Sequence, residues 1–387
     1  VHLGGSGVAH IYDPEHGHSV VYDFFSDTPG LGMPKRNVED MDFGRVTIDF
    51  GETTQDFYLG RASVAVPGNI HGLWRMAQDY ARLKWPDLLQ PAIELARNGV
   101  NLAPFQTQTC ALLAPLYTNT AAMRDIFIHE GRMIEAGEKL FIPNLAETLT
   151  SLADQGEELA RTGSLAQALV ADQIANRGLL TAADLINYQA QKLSSIHIPY
   201  REYEVLLPPP SSSGGVLTAF SLKLLSAFKV RQLKHGSVEH LQLLYEVMAA
   251  TTRARPQWEK TSVMMPLPEA IGHFLDDNFV QSYVVEVRDA LNSRSASISL
   301  IENPGPSNTS HLSIIDEKGM TVSLTTTAGE SAGYVVPGTG YIPNNIMGEE
   351  DLHPHGFHSR PAGRRISTMM TPTIVLYEGQ PLSHIHI

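Results

Sequence analysis

The residues with the sharpest chemical potential lie in Asn308-Thr309-Ser310-His311-Leu312-Ser313-Ile314-Ile315-Asp316, a β-prone run that follows a Pro/Gly-rich stretch. If the Asn308–Thr309 bond were cut, Thr309 would carry a free α-amine. Such an amine has an ordinary pKa of about 7.7–8.0, so it can act as base for the hydroxyl of its own residue. One residue would then supply both nucleophile and base. The residues alone also describe an ordinary strand threonine beside a turn, which is the commoner case. Three other groups compete with Thr309. Cys110 is the single cysteine, so no internal disulfide can form, and its apolar surroundings predict a buried, inert thiol. His353, His355 and His358 carry metal-donor nitrogens, but Pro354 and Gly356 make their segment a loop without a matched carboxylate spacing. We expect no metal there. Gly4-Gly5-Ser6-Gly7 lacks the Lys-Ser/Thr pair and the following helix of a phosphate loop. No cofactor is expected.

These residues sit in a chain of 387 residues with 43% hydrophobic and 18% charged side chains. That is a folded composition, long enough for one large domain or two ordinary ones. A net charge of −13 repels nucleic acid and anionic lipid and leaves a small-molecule substrate as the expected partner. No stretch reaches the ~18 apolar residues of a membrane span. Val1-His2-Leu3-Gly4-Gly5 has neither the basic start nor the apolar run of a secretion signal. The first residue is not Met, so the compartment stays open between cytoplasmic and periplasmic or secreted.

The positioning elements begin with two predicted strands, Val8 to Tyr12 and Ser19 to Phe25, joined by the turn Asp13-Pro14-Glu15-His16-Gly17. A Gly-, Asp- and Pro-rich, strand-poor region is expected to about residue 60. Residues 70 to 185 read as largely helical, with Pro86 and Pro91 at helix starts and Asn98-Gly99 as a C-terminal cap. Asn144 to Ala160 and Ser164 to Ala175 read as amphipathic helices, and Thr181-Ala182-Ala183-Asp184 as a capping box. Tyr203 to Leu207 is a predicted strand that runs into Pro208 to Gly215. That segment could be a flexible linker, but the apolar helix Val216 to Leu225 follows at once, so Gly214 and Gly215 fit a helix entrance where backbones pack closely. Residues 237 to 300 are mostly helical again. His311 to Ile315 and Met320 to Thr327 then form a hairpin of period two around Glu317-Lys318-Gly319, and Thr373 to Tyr377 is the last clear strand.

At this point the chain resembles the γ-glutamyltranspeptidase family of N-terminal-nucleophile hydrolases. The family's nucleophile motif, Thr-Thr-His-Tyr-Ser-Val-Val-Asp, stands here as Thr309 to Asp316, and its second, assisting threonine falls on Thr327. Ser63 to Gly68, Pro91 to Ala96, Leu180 to Leu185, Pro208 to Gly215, Pro337 to Gly340, Asn344-Asn345 and Thr371 to Thr373 match in the family's order over nearly the whole chain. The resemblance implies an α+β fold, a four-layer αββα sandwich. It implies a large-subunit region at 1–308 and a shortened small-subunit region at 309–387, joined in one composite catalytic domain. It implies autocleavage between Asn308 and Thr309, a heterodimer of the two fragments, and a Thr309 acyl-enzyme. That acyl-enzyme would hydrolyse or transfer the γ-glutamyl or other acyl group of glutathione-like amides, without metal or cofactor.

The departures sharpen the reading. Phe25 stands where the family's transpeptidases carry the Arg that grips the substrate's α-carboxylate, and a phenyl ring offers no such bidentate grip. Gly329 replaces the family's Asn beyond the second threonine. Glu349 corresponds to the acid that holds the substrate amine. The substrate-binding Ser pair falls on Ser367 and Thr368, or one residue later on Thr368 and Met369. The chain stops at Ile387, before the family's oxyanion-hole glycines, and its start lacks the family's first strand and helix. It therefore reads as shortened at both ends, and an inactive, unprocessed or truncated homologue is the alternative expectation.

Overall fold

The computed structural model describes residues 3–34, 37–51, 53–293 and 309–385. The strand Ser6–Asp13 is buried along nearly all its length. Its side chains alternate between two apolar environments, as a pleat with both faces covered requires. Ala9 and Ile11 join Val20, Tyr22 and Phe24 against Leu73, Met76 and Tyr80 of the helix Asn69–Tyr80. Tyr12, on the other face, packs on Leu206, Ile374 and Leu376 of a second sheet. The first sheet runs Ser310–Ile315, Thr321–Thr327, Ser6–Asp13, His18–Phe24, Gln191–Leu193, antiparallel throughout. The second runs Ile196–Tyr200, Tyr203–Leu207, Thr373–Tyr377, Gln380–Ile385. Val205 and Leu207 turn away from the first sheet onto Ala219 of the helix Ser213–Ser226. Behind that helix, Val238–Met264 and Asp277–Ser293 close a core around Phe220, Trp258 and Phe274. Helix, sheet, sheet, helix is the expected four-layer α+β sandwich. Residues before and after Thr309 contribute to both sheets, so the two regions are hydrogen-bonded to each other along whole strands.

Several local expectations give way to packing. The region expected to be strand-poor contains the hairpin Gly44–Asp49 and Thr54–Leu59, which buries Ile48, Phe57 and Leu59 on Leu113 and Leu116. Pro91 lies inside the helix Trp85–Asn98 rather than at a start. It is exposed there, where water can take the carbonyl that a proline leaves unbonded. Asn144 to Ala160 divides into Leu145–Gln155 and Glu158–Arg161. The break is Gly156, with φ 61°, where a Cβ would lie 2.5 Å from the Trp74 ring. A further strand, Gln380–Ile385, follows the one expected to be last. Pro381 disguised it, and a proline is tolerated there because the strand is at a sheet edge.

His10 ties the two sheets together. Its Nδ1 donates to Pro372 O at 3.0 Å and its Nε2 accepts from Ser19 Oγ at 2.7 Å, which assigns the neutral tautomer. Burial pulls its pKa from 6.5 down to about 4. The unfolded chain therefore takes up this proton at a higher pH than the folded one. Stability from this group is complete above pH 6.5 and is lost as the pH falls towards 4, amounting to about 2–3 kcal/mol between pH 7 and 4.5. His353, buried and also held near 4, acts in the same direction. Urea unfolding at steps across this window is expected to show the loss, and His10→Gln to flatten it. An equally steep curve in the variant would assign the loss to other groups.

Candidate active site

Thr309 immediately precedes the edge strand Ser310–Ile315 and is partly buried. The antiparallel register pairs Ser310 with Thr326. Continued by one residue, it sets Thr309 across from Thr327, which on its other side pairs with Ser6. Thr327 Oγ1 accepts the backbone N–H of Gly329 at 3.0 Å, turning the chain at the strand end. Gly329 has φ 61°, and a Cβ there would lie 2.1 Å from Asn345 Oδ1 and 2.2 Å from Glu349 Oε1. Glycine is required by both the dihedral and the space. The family's asparagine would not fit this backbone, which brings the Glu349 carboxyl close to the turn beyond Thr327.

The loop that carries Glu349 is pinned by two asparagines. Asn344 donates to Gly4 O and Ala65 O at 2.7 and 3.0 Å and accepts from Ala65 N and Ile346 N. Asn345 Oδ1 accepts from Glu330 N at 2.9 Å and Ser331 N at 3.2 Å. This is the physical content of the Asn-Asn match. Glu349 Oε1 is shut off from solvent and has no hydrogen-bond partner among the described residues. Burial first, and then the neighbouring carboxylates of Glu330 and Asp351, raise its pKa well above the usual range. Glu330 is a second acid that the sequence reading missed. Its only available signal was its place next to Gly329.

Phe25 is 1% exposed and packs among Val8, Val21, Ala65, Ile346, Met347, Ile366 and Met370. The cation beside this segment, Arg365, is already committed. It pairs with Asp23 at 2.8 Å and Asp27 at 2.6 Å, donates to Gln189 O, and lies over the Tyr188 ring. Ile366 and Met370 flank the expected hydroxyl pair, and Ile346 and Met347 precede Glu349, so one apolar cluster joins both. Thr368 N donates to Ser211 O at 3.0 Å and Thr368 O accepts from Ser213 N at 2.9 Å. Ser367 Oγ meets Ser213 Oγ at 2.7 Å. Met369, the alternative second member, is 44% exposed and bears no hydroxyl. The structure thus brings Thr309, Thr327, Gly329 and Glu349 together, and holds Ser367 and Thr368 in a second cluster at the entrance of the helix Ser213–Ser226. The Gly pair of that entrance is no linker: a Cβ on Gly214 would lie 2.2 Å from Met369 O, and on Gly215 1.9 Å from Pro208 O. Asn308 lies outside the described residues.

The competing groups go elsewhere. Cys110 is buried, and burial pushes its thiol up. His353 Nε2 donates to Ile346 O at 3.1 Å, and the His358 ring stands edge-on to Phe43. Among the described residues no three His, Cys, Asp or Glu side chains gather as a metal site. Gly4 and Gly5 lead into the first strand, and Gly5 O accepts from Gly68 N and Asn69 N. No described helix is long and apolar enough to cross a membrane.

A four-layer sandwich with a threonine heading an edge strand beside a second threonine is the arrangement of an N-terminal-nucleophile hydrolase. The Gamma-glutamyltranspeptidase family profile matches residues 1–385, and the chain belongs to that family. It is 31% identical over 382 residues to the Acylase ACY 1 proenzyme of Pseudomonas sp. (strain SE83), a match that covers 97% of this chain and 66% of the relative. It is 29% identical over 422 residues to the Glutathione hydrolase proenzyme of Pseudomonas sp. (strain A14), covering 97% and 70%. The chain thus spans about two thirds of the length of these relatives. Among solved structures, the cephalosporin acylase from Bacillus halodurans superposes with a TM-score of 0.77 at 22% identity, covering 99% of this chain and 68% of that one, a likeness of fold. The γ-glutamyltranspeptidase from Pseudomonas nitroreducens complexed with L-DON gives 0.59 at 26% identity, covering 78% and 85%.

Proposed function

We propose that the chain cuts itself between Asn308 and Thr309 and that the freed Thr309 opens small acyl amides through an acyl-enzyme. The observation that carries this reading is the register that sets Thr309 across from Thr327, with the Glu349 carboxyl beside the adjoining turn. In maturation, Thr309 Oγ adds to the Asn308 carbonyl carbon, the C–N bond breaks, and the Thr309 nitrogen leaves as the amine. Water then hydrolyses the resulting ester. In turnover, that amine takes the Oγ proton while Oγ adds to the substrate carbonyl. The substrate's amine departs with a proton, and water, or an acceptor amine, resolves the ester. Residues 1–308 form the large-subunit region and 309–387 the small one. They stay together because strands of both build each sheet.

The acyl group is a γ-glutamyl or related one, with γ-glutamyl recognition altered. Phe25 and its apolar neighbours give an α-carboxylate no charged grip, and Arg365 is held by Asp23 and Asp27. Glu349 remains as the group to meet a substrate amine, with Ser367 and Thr368 as further binding hydroxyls. Removing the α-carboxylate from a γ-glutamyl anilide, to give the 4-aminobutanoyl anilide, is therefore expected to change kcat/KM by less than about threefold. Loss of a charge-assisted hydrogen bond would cost about 1.5–3 kcal/mol, on the order of ten- to a hundredfold. A drop of that size would mean that a cation still reads the carboxylate.

Intact mass of the purified protein after a day's incubation, with Thr309→Ala alongside, tests maturation. A fragment that begins at Thr309, absent from the variant, is the expected result. A single 42.4 kDa species in both samples would favour an unprocessed homologue without catalysis.

A further inference from the structure

The surroundings of Thr309 and Thr327 carry acids that no cation answers. The Glu349 side chain makes no hydrogen bond or ion pair among the described residues, and its inner oxygen, Oε1, is shut off from solvent. The residue as a whole is only half-buried, so its outer side stays open to a ligand. It comes this close to the strand end because residue 329 is glycine: a Cβ there would lie 2.2 Å from Oε1. The next residue, Glu330, is a second acid and only 6% exposed. Its N–H is pinned at 2.9 Å on Asn345 Oδ1, and Asn345 opens the loop of Glu349, so the two acids stand on facing loops. After burial, the Glu330 charge is the larger of the two neighbouring charges that raise the Glu349 carboxyl. Two carboxyl groups held together away from water ionise together only beside a cation. The wall at Phe25 offers nothing to an anion, because its one guanidinium, Arg365, is spent on Asp23 and Asp27.

We propose that Glu330 joins Glu349 in selecting an acyl group that carries a cation and no anion, the ω-aminoacyl class, with 4-aminobutanoyl as its simplest member. This rests on Thr309 as the nucleophile. An acyl group that ends in a carboxylate would meet two acids and no cation, and a plain alkyl chain would leave both acids unpaired. An ammonium pairs with Glu349 directly, in a charge-assisted hydrogen bond. Glu330 acts through the charge it sets beside Glu349. The entering ammonium displaces to solvent the proton that the acid pair holds, so amine binding strengthens as the pH rises while the amine itself stays charged. Asp351 on the same loop, Tyr117 beside Glu330 and the freed Thr309 amine are the other titratable groups at the pair. Arg61, on the neighbouring turn, is spent on Asp42 and Asp172, and Tyr58, behind Gly348, stacks on Phe43 and Phe357.

Three anilides that differ only at the fourth acyl carbon test this: 4-aminobutanoyl, butanoyl and glutaryl. By kcat/KM, 4-aminobutanoyl is expected to exceed butanoyl at least about tenfold, the size of one charge-assisted hydrogen bond, and glutaryl to fall below butanoyl. The ratio of 4-aminobutanoyl to butanoyl should rise between about pH 6 and 8.5, where an alkyl ammonium keeps its proton. Titration of the Thr309 amine cancels in this ratio, because both substrates depend on it. Glu330→Gln should flatten the rise. Glu349→Gln should abolish the preference, and it carries the test if Glu330→Gln fails to fold. Glutaryl anilide cleaved as well as the 4-aminobutanoyl one, or a pH course that Glu330→Gln leaves unchanged, would overturn the proposal. Isothermal titration with 4-aminobutanoate, butanoate and glutarate, whose shared carboxylate stands where the scissile amide would be, reads the same selectivity without turnover. Tighter binding of 4-aminobutanoate with no anilide cleaved sinks the Thr309 chemistry and leaves the acid pair standing. Cleavage by Thr309 without a preference for the amine does the reverse.

Discussion

Thr309→Ala is expected to lose turnover of any acyl anilide that the parent protein cleaves by on the order of 10⁶-fold, the loss seen when a nucleophile is deleted from a preorganised site. The variant lacks Oγ, so no ester forms. It also lacks the self-cleavage that frees the α-amine, so the base is lost together with the nucleophile. Its fold should persist. Thr309 is only partly buried and precedes the strand rather than lying within it, so alanine removes no core volume and no ladder hydrogen bond. The unfolding midpoint should therefore match that of the parent before it has cleaved itself, which separates chemistry from stability. Thr309→Ser keeps the hydroxyl and should still cleave itself, more slowly. Turnover by the alanine variant at more than a hundredth of the parent rate would place the nucleophile elsewhere.

The second large effect concerns the support of the site. Arg365→Ala should lower the unfolding free energy by about 3–5 kcal/mol, the range for removing one partner from a buried ion pair. Arg365 is 12% exposed and Asp23 only 2%. Asp23 is also the junction of three segments: its carboxylate accepts from Phe25 N at 2.9 Å and from Ser211 N at 3.2 Å as well as from Arg365. Burial already raises the Asp27 carboxyl even with Arg365 beside it. Without the guanidinium, two carboxylates would remain in a site that water reaches poorly. Urea unfolding should show the midpoint fall with an unchanged slope. Arg365→Lys should lose less, because it keeps the charge but cannot reach both aspartates in one plane. A change below 1 kcal/mol in the alanine variant would mean that the pair is solvated and merely decorates the surface.

The contrast between these two residues shows what was legible in the chain. Thr309 was singled out as a candidate because its signal is local. A β-prone run of period two, a turn at Glu317-Lys318-Gly319 and the motif Thr309 to Asp316 fix a hairpin, and a hairpin's register follows from its turn. Arg365 was not found, because its two aspartate partners lie more than 300 residues away in the chain and nothing in its neighbours distinguishes it from an ordinary surface arginine. Glu330 was missed for the same reason: its interaction with Glu349 exists only because Asn345 folds one loop onto the other.

Sequence alone determined the elements that are stable choices for their own residues. These include the strands Ser6–Asp13 and His18–Phe24, the helix Ser164–Ala175, the capping box of Thr181 and Asp184, and the strand Tyr203–Leu207. In each, side-chain periodicity or a cap within a few residues suffices. Through family resemblance it also indicated the order of the layers and singled out Thr309, Thr327 and Glu349 as candidate site residues. Tertiary structure alone decided where local preference was weak or outbid. The hairpin Gly44–Asp49 and Thr54–Leu59 forms because Leu113 and Leu116 cover it. The helix expected over 144–160 breaks because Trp74 occupies the space beside Gly156. Phe25 is an apolar wall rather than a gap because Ile346, Met347, Ile366 and Met370 arrive from distant segments to pack on it. A contact between distant segments has no local periodicity to announce it, and its free energy exists only once the intervening chain has folded.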